Sequence, residues 1–145
     1  MKAVIQRVNY ASVEVDGKLI SSIDKGLLIL VGIHKNDTEN EADYLIRKIL
    51  NLRIFESEKH FMDKSVQDLD LEILLVSQFT LYGDCKKGNR PSFDQAMPPA
   101  QAKVFYDDFV DKFKKSHAKV KDGVFGAYMK VRLENDGPLT IVINK

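Results

Sequence analysis

Apolar and polar residues alternate along the first third of the chain with the two-residue period of β-strands. Val13 and Val15 alternate with acidic residues and lead into Asp16-Gly17. This dipeptide is a hairpin signal, because glycine readily adopts the positive φ that a two-residue turn requires. The uninterrupted apolar run at residues 27–31 is typical of a strand covered on both faces. The pattern predicts a β-meander with strands over residues 3–8, 13–15, 18–23 and 27–31.

Two later segments show the period of amphipathic helices. The first predicted helix begins near Thr38, since Glu41 three residues later completes a capping box. The second begins at Pro98-Pro99, because proline is tolerated in the first helical turn. We interpret both apolar faces as core packing. They consist of Ala42, Leu45, Ile46 and Ile49 in the first helix, and of Ala102, Phe105, Phe109 and Phe113 in the second.

Further strands are predicted in the second half of the chain. Residues 72–81 form an apolar strand that ends in the polar loop 82–90. Residues 129–143 alternate on either side of Asn135-Asp136-Gly137-Pro138, which predicts a terminal hairpin. No internal repeat or linker is present. We therefore expect one α+β domain over residues 1–145, with a mostly antiparallel, barrel-like sheet and two helices.

Composition and charge narrow the class of protein. The chain has 145 residues, 44% of them hydrophobic and 30% charged, as in ordinary soluble globular domains. Its net charge of +1 excludes a protein that holds nucleic acid mainly through a global positive field. The single cysteine, Cys85, allows no internal disulfide, and no apolar run approaches the ~18 residues of a membrane span. We expect a cytoplasmic protein that does not enter a membrane.

Common catalytic and metal-binding patterns are absent. The three histidines are far from one another and from Cys85, and there is no glycine-rich phosphate loop or nucleophile elbow. We expect neither a metal nor a cofactor. Two basic clusters are either solvated faces or phosphate contacts. They are Lys86, Lys87 and Arg90 in one loop, and five lysines between residues 112 and 121.

Two polar interruptions of apolar segments are more informative. Ser77-Gln78-Phe79-Thr80 directly follows an apolar strand, where backbone N–H groups become available to a ligand. The alternative is that these side chains only cap the strand end. Asn135-Asp136-Gly137-Pro138 is either a tight hairpin turn or a functional turn that presents two carbonyl groups without an obstructing side chain. The bond before proline is one that folded proteins can hold in cis.

These two turns and their surroundings resemble one family, the D-aminoacyl-tRNA deacylases. The resemblance covers essentially the whole chain, and the two turns occur in the family's order and at its spacing. The matching segments are Gln6-Arg7-Val8, Met62, Ser65-Val66, Ser77 to Leu81, Lys86 to Phe93, Phe125-Gly126-Ala127, Met129-Lys130-Val131 and Asn135 to Thr140.

The resemblance implies an enzyme that hydrolyses the ester between a D-amino acid and the 3′-terminal adenosine of tRNA. It also implies removal of glycine mischarged on tRNA-Ala, and a homodimer with each active site at the subunit interface. Gly137 and Pro138, joined by a cis peptide bond, would enter the partner's site. Their carbonyl oxygens would hold the substrate's α-amino group and exclude L-amino acids by steric clash.

The family's other site residues carry over by position. Ser77, Gln78, Phe79 and Thr80 would form the catalytic wall, with backbone N–H groups that stabilise the oxyanion. We favour a water activated with help from the ribose 2′-hydroxyl, and a covalent Thr80 intermediate is the alternative. The remaining expected contacts are Phe125 and Met129 on the adenosine, Lys86, Lys87 and Arg90 on tRNA phosphates, and Arg7 as a brace for the Gly-Pro loop.

Other readings stay open at this point. Phe125 and Met129 can serve as core residues alone. The chain can be an RNA- or nucleotide-binding module without catalysis, although both intact turns argue against this. It can be a generic esterase or peptidase, although no Ser/His/Asp or Cys/His arrangement is evident. A relative specialised for L-alanine on the wrong tRNA is a further alternative, which Arg7 and the overall resemblance disfavour.

Overall fold

The computed structural model describes residues 1–145 as a six-stranded sheet with two α-helices. The strands are β1 (Lys2–Val15), β2 (Lys18–Ile23), β3 (Gly26–Gly32), β4 (Glu72–Ser77), β5 (Val120–Asp122) and β6 (Met129–Asn144). The helices are α1 (Glu39–Leu50) and α2 (Pro99–Ser116), and a short 3-10 helix spans Phe79–Tyr82. Neither helix has the length and apolar composition needed to cross a membrane.

The sheet is mixed, so the predicted antiparallel pairing holds for the three pairs that β1 forms and not for the whole sheet. β1 pairs antiparallel with β2, β3 and β6, whereas β3, β4 and β5 are parallel to one another. The parallel pairs arise because α1 connects β3 to β4 and α2 lies between β4 and β5, so each connection crosses back over the sheet. The three-residue strand β5 is too short to show an alternating pattern and is absent from the sequence prediction.

The predicted hairpin at Asp16-Gly17 is confirmed, with φ values of 50° and 76° at the two residues. The predicted meander is wrong, since β3 pairs with β1 rather than with β2. The sheet also curls until β2 approaches β5. There the Ser21 hydroxyl donates to the Asp122 carbonyl at 3.0 Å, and Lys121 Nζ donates to the Ser22 carbonyl at 2.6 Å. The sheet is therefore nearly closed, as the barrel-like prediction expected.

The C-terminal segment is one continuous strand and not the predicted hairpin. β6 pairs with β1 from Met129 to Asn144 without reversing direction. Because Gln6 pairs with Thr140 and Val8 with Asn135, residues 136–139 bulge out opposite Arg7 alone. The residues that predict a turn thus form a bulge inside β6. Their backbone is exposed as expected, but it lies within a strand and not at the tip of a hairpin.

Two apolar cores cover the two faces of β3, as the apolar run predicted. Leu27 and Ile29 face the larger core, which lies between the sheet and the two helices. Leu28 faces the smaller core inside the curled sheet. Both helices are confirmed, including the capping box of Thr38 and Glu41. Burial on α2 follows the predicted face, with Ala102, Phe109 and Phe113 buried.

Tyr106 on α2 is almost completely buried, and its hydroxyl has no hydrogen-bond partner. Burial raises the pKa of this hydroxyl, so it stays protonated. An unpaired buried hydroxyl costs about 1–3 kcal/mol. We therefore expect Tyr106→Phe to raise the free energy of unfolding by about 1 kcal/mol, measured by urea denaturation.

Tyr128→Phe is the matched control for this prediction, because Tyr128 is 87% exposed and loses the same atom. The control should change the free energy of unfolding by less than about 0.5 kcal/mol. Destabilisation by Tyr106→Phe would contradict the prediction and show that the hydroxyl is hydrogen-bonded in solution.

Candidate active site

The carboxyl ends of β3, β4 and β5 meet at one edge of the sheet, where ligands commonly bind in parallel sheets. Ser77 ends β4 at this edge, opposite Val31 of β3. Gln78 continues the pairing by one residue, since its N–H donates to the Val31 carbonyl at 2.7 Å. The chain then leaves the sheet in the 3-10 helix, which places the predicted catalytic turn at the edge.

This turn offers backbone donors rather than a base. The first hydrogen bond of the 3-10 turn runs from the Leu81 N–H to the Gln78 carbonyl, so the N–H groups of Phe79 and Thr80 precede it and have no partner within the helix. The Thr80 hydroxyl is hydrogen-bonded to the side-chain amide of Gln78. The amide donates this hydrogen bond and does not act as a base toward the Thr80 hydroxyl.

Phe125 and Met129 lie on the segment that follows β5 at the same edge. Leu75 pairs with Asp122, and the Gly123 N–H donates to the Leu75 carbonyl at 2.9 Å. Phe125 is half-buried against the ring of Tyr106, with 5.6 Å between ring centroids. The Met129 sulfur lies so close to Gly123 that a Cβ there would come within 2.7 Å of it. Both residues are therefore held near the carboxyl end of β5, and both also contribute to packing.

The loop with Lys86, Lys87 and Arg90 is joined to the same turn. Asp84 and Ser92 pair across its base, and the Phe93 ring contacts the Phe79 ring edge-on with 5.0 Å between centroids. All three basic side chains are exposed, and none forms an ion pair.

The second basic cluster differs, because four of its lysines are neutralised. The ion pairs are Lys112 with Glu39 and Asp43, Lys114 with Asp122, Lys119 with Asp70, and Lys121 with Glu72. These lysines therefore mainly form a solvated face. The loop 83–92 is the stronger candidate for phosphate contacts.

Gly137 and Pro138 are exposed in the bulge of β6, joined by a cis peptide bond. Arg7 holds the bulge from beneath and is only 5% exposed. Its Nη1 donates to the Ile54 carbonyl at 2.6 Å, and its Nε donates to the Asp136 carbonyl at 3.2 Å. An ion pair of 3.0 Å to the Asp136 carboxylate completes the anchor. Arg7 therefore joins the bulge to the Ile54 backbone.

Other groups that support the bulge were not identified from the sequence. The Asn135 amide donates to the Thr140 hydroxyl at 3.0 Å, and its oxygen accepts the Leu139 N–H at 2.6 Å. The Phe61 ring covers the Arg7 guanidinium at 5.3 Å. Asn135 and Thr140 belong to the Asn135–Thr140 segment that resembles the deacylase family, so this motif could have identified them. Phe61 lies outside the segments with this resemblance, and no sequence pattern points to it.

One chain does not bring the two predicted halves of the site together. Arg7, opposite the bulge, is level with Leu27 of β3 and therefore with Ile73 of β4. Ser77 lies four residues further along β4, roughly 13 Å away at 3.3 Å per residue. The bulge is also three strand spacings from β4, roughly 14 Å at ~4.8 Å each. Measured along the curled sheet, the Gly137-Pro138 bulge and the Ser77–Thr80 turn are therefore about 20 Å apart within one subunit.

Sequence comparisons identify relatives over the whole chain. The family model described as D-Tyr-tRNA(Tyr) deacylase matches residues 4–144. A D-aminoacyl-tRNA deacylase from Thermosipho melanesiensis is 56% identical over 99% of this chain and 97% of its own length. The enzyme of the same name from Aquifex aeolicus is 55% identical over the same shares of the two chains.

Solved structures share the fold. One titled c-Myc DNA Unwinding Element Binding Protein has a TM-score of 0.94 and 50% identity, covering 100% of this chain and 99% of its own. A second, described as a probable eukaryotic D-amino acid tRNA deacylase, has a TM-score of 0.85 at 17% identity, covering 98% and 97%. The second shows likeness of fold alone. With the family model and the close relatives spanning nearly every residue, this chain belongs to the D-aminoacyl-tRNA deacylase family, a family of aminoacyl-tRNA ester hydrolases.

Proposed function

We propose that this enzyme hydrolyses D-aminoacyl-tRNA, and glycyl-tRNA mischarged on tRNA-Ala, while it spares L-aminoacyl-tRNA. The observation that carries the proposal is the exposed Gly137-Pro138 bulge, anchored by buried Arg7. A rigid backbone segment with little side-chain bulk can discriminate between the D and L configurations of the substrate's α-carbon. Its place of action is the cytoplasm, where aminoacyl-tRNA is used.

The proposed active form is a homodimer in which each subunit completes the other's site. The support is the separation of about 20 Å, measured along the sheet, between the bulge and the Ser77–Thr80 turn of one chain. A loop held this firmly, yet exposed and distant from the catalytic turn, is suited to enter a second copy. In a twofold dimer the same contact occurs twice, so two equivalent sites form.

Selection against L-amino acids would follow from steric exclusion. The carbonyl oxygens of Gly137 and Pro138 would accept hydrogen bonds from the α-ammonium group of the substrate. With the ester and the ammonium group fixed, an L side chain points into the bulge backbone, whereas a D side chain points away. Discrimination by a clash of this kind requires a rigid wall. Glycine has no side chain to clash, so its acceptance is a consequence of the same geometry.

Hydrolysis would proceed by attack of water on the ester carbonyl carbon. The free N–H groups of Phe79 and Thr80 would stabilise the oxyanion of the tetrahedral intermediate. The carbon–oxygen bond to the ribose 3′-oxygen then breaks, and that oxygen takes a proton as the tRNA leaves. The hydroxyl of Thr80 is bound to an amide, so we assign help in proton transfer to the ribose 2′-hydroxyl. Ser77 and Gln78 complete this wall.

The terminal adenosine would lie against Phe125 and Met129. Aromatic rings commonly stack on the bases of single-stranded RNA ends. The exposed side chains of Lys86, Lys87 and Arg90 would contact phosphates of the acceptor end, because no internal acid neutralises them.

Removal of these three charges should weaken tRNA binding and its salt dependence. Each phosphate contact contributes about 0.7–0.9 to the slope of log K against log salt concentration. We expect Lys86→Ala/Lys87→Ala/Arg90→Ala to reduce that slope by about two, measured by filter binding between 50 and 200 mM salt. As a control, Lys112→Ala/Lys114→Ala removes charges that are already paired and should leave the slope unchanged. Equal slopes for the wild type and the triple variant would contradict the assignment.

The proposed function is tested by deacylation of matched substrates. D-Tyrosyl-tRNA, L-tyrosyl-tRNA and glycyl-tRNA-Ala are incubated with the enzyme, and the remaining ester is measured over time. Rapid loss of the D and glycyl esters with the L ester intact would support the proposal. Equal hydrolysis of D and L esters would overturn the chiral selection, and no hydrolysis of any would favour a binding module.

A further inference from the structure

Tyr128 is the most exposed large hydrophobic residue of the protein, with 87% of its surface accessible. No aromatic or cationic partner contacts its ring. It stands between Phe125 and Met129, the two residues placed against the terminal adenosine. The proposed function uses both neighbours and leaves this ring without a role.

The segment that carries Tyr128 is an ordered turn. The Ala127 N–H donates to the Val124 carbonyl at 3.2 Å, and Gly126 has a φ of 75° that permits the sharp reversal. This turn directs Phe125 inward onto Tyr106, while Tyr128 stays in solvent immediately before β6 begins. The turn therefore fixes the backbone of Tyr128 close to Phe125 and Met129, while its ring extends into solvent.

The basic residues that follow Tyr128 are already paired with an acidic residue. The adjacent Lys130 is paired with Glu14 at 3.5 Å, and Arg132 is paired with the same carboxylate at 2.7 Å. An exposed ring beside neutralised cations offers stacking rather than phosphate contacts. Base–aromatic stacking is the main means by which proteins hold single-stranded nucleic acid without reading its sequence.

We propose that Tyr128 stacks on the base of the nucleotide that precedes the terminal adenosine in the single-stranded 3′ end of tRNA. The inference rests on the proposed function, because the terminal adenosine must lie at Phe125 and Met129. The preceding nucleotide is covalently linked to it and leaves the pocket past the exposed side of the same turn. Tyr128 would thus extend recognition from one nucleotide to two.

The test compares a substrate that has this second nucleotide with one that lacks it. D-Tyrosyl-tRNA and the nucleoside ester D-tyrosyl-adenosine are both hydrolysed by wild-type enzyme and by Tyr128→Ala. We expect Tyr128→Ala to raise KM for D-tyrosyl-tRNA about tenfold without changing kcat, in keeping with the worth of one stacked base. KM for D-tyrosyl-adenosine should stay unchanged. Tyr128→Phe should retain wild-type KM, because it keeps the ring.

Val104→Ala on α2 is the control, since it truncates another exposed apolar side chain (63% accessible) and should leave both substrates unaffected. An equal effect of Tyr128→Ala on both substrates would overturn the proposal, as would no effect on either. A lower mass of Tyr128→Ala in sedimentation would instead assign the ring to a subunit contact. If the wild type hydrolyses neither ester, the proposed function itself fails, which is distinguishable from failure of the stacking contact.

Discussion

Gly137→Ala is expected to lower kcat/KM for D-tyrosyl-tRNA about a hundredfold, because it displaces the backbone that we propose contacts the substrate. Gly137 has a φ of 128°, which side-chain-bearing residues rarely adopt. An added Cβ would lie 3.2 Å from Arg7 Nη2 and 3.2 Å from the Leu139 nitrogen, so the anchor itself must move. A displacement of ~1 Å in a positioning group is enough to cost about 10²-fold in rate. Single-turnover kinetics, with the enzyme in excess over the D-tyrosyl-tRNA and below its KM, measure this loss.

Gly17→Ala provides the matched control. Gly17 has a φ of 76° in the β1–β2 turn, and nothing lies within 4 Å of an added Cβ. Each variant should lose about 1–3 kcal/mol of stability through its backbone conformation. Only Gly137→Ala should lose activity. Wild-type kcat/KM in Gly137→Ala would separate the bulge from catalysis, and an equal loss in Gly17→Ala would reduce the effect to stability.

The second large effect concerns two variants that are inactive alone and active together. Thr80→Trp fills the catalytic turn at an exposed position, and Gly137→Ala disables the bulge. Each alone should retain only about 1% of wild-type activity, by the positioning argument above. When the two chains are co-expressed and pair at random, half of the dimers are mixed. Each mixed dimer has one site with both halves intact, so about a quarter of wild-type activity should return.

This complementation discriminates between a composite site and a site within one chain. The mixed population is separated by two different affinity tags, and its activity is measured per dimer. Recovery to about one half in the purified mixed dimer supports the composite site. A mixed dimer as inactive as its parents would show that the bulge and the turn act within one subunit. Co-expression of Thr80→Trp with wild-type chains is the control that measures whether variant and wild-type chains pair at random.

Local signals were sufficient for the helices and for single strands, but not for the choice of pairing partners. The Thr38–Glu41 capping box and the two-sided run of β3 depend on neighbouring residues, and both are confirmed. A meander and a crossover contain the same individual strands, so alternation could not place β3 beside β1. Likewise, Asn-Asp-Gly-Pro is suited to a turn and to a bulge, and only the long pairing with β1 decides between them.

The candidate site was predictable to the extent that it resides in side chains of a recognised motif. Arg7, the Ser77–Thr80 segment and the Asn135–Pro138 segment were singled out in this way. The Ile54 carbonyl that anchors Arg7 was not, because a backbone acceptor leaves no trace in residue identity. Phe61 was missed for a related reason, since an aromatic residue in a polar loop does not reveal which guanidinium it covers.

The pairing of β1 with β6 also determines when the Gly137-Pro138 bulge can form. More than a hundred residues separate the two strands, so a ribosome must synthesise most of the chain before β1 receives its neighbour. Contacts between segments so distant in sequence form late and slow the folding of a domain. Until then one edge of β1 has unpaired backbone groups, which can pair with strands of other chains and cause aggregation. The bulge that we propose as the stereochemical selector is therefore among the last features that a newly made molecule acquires.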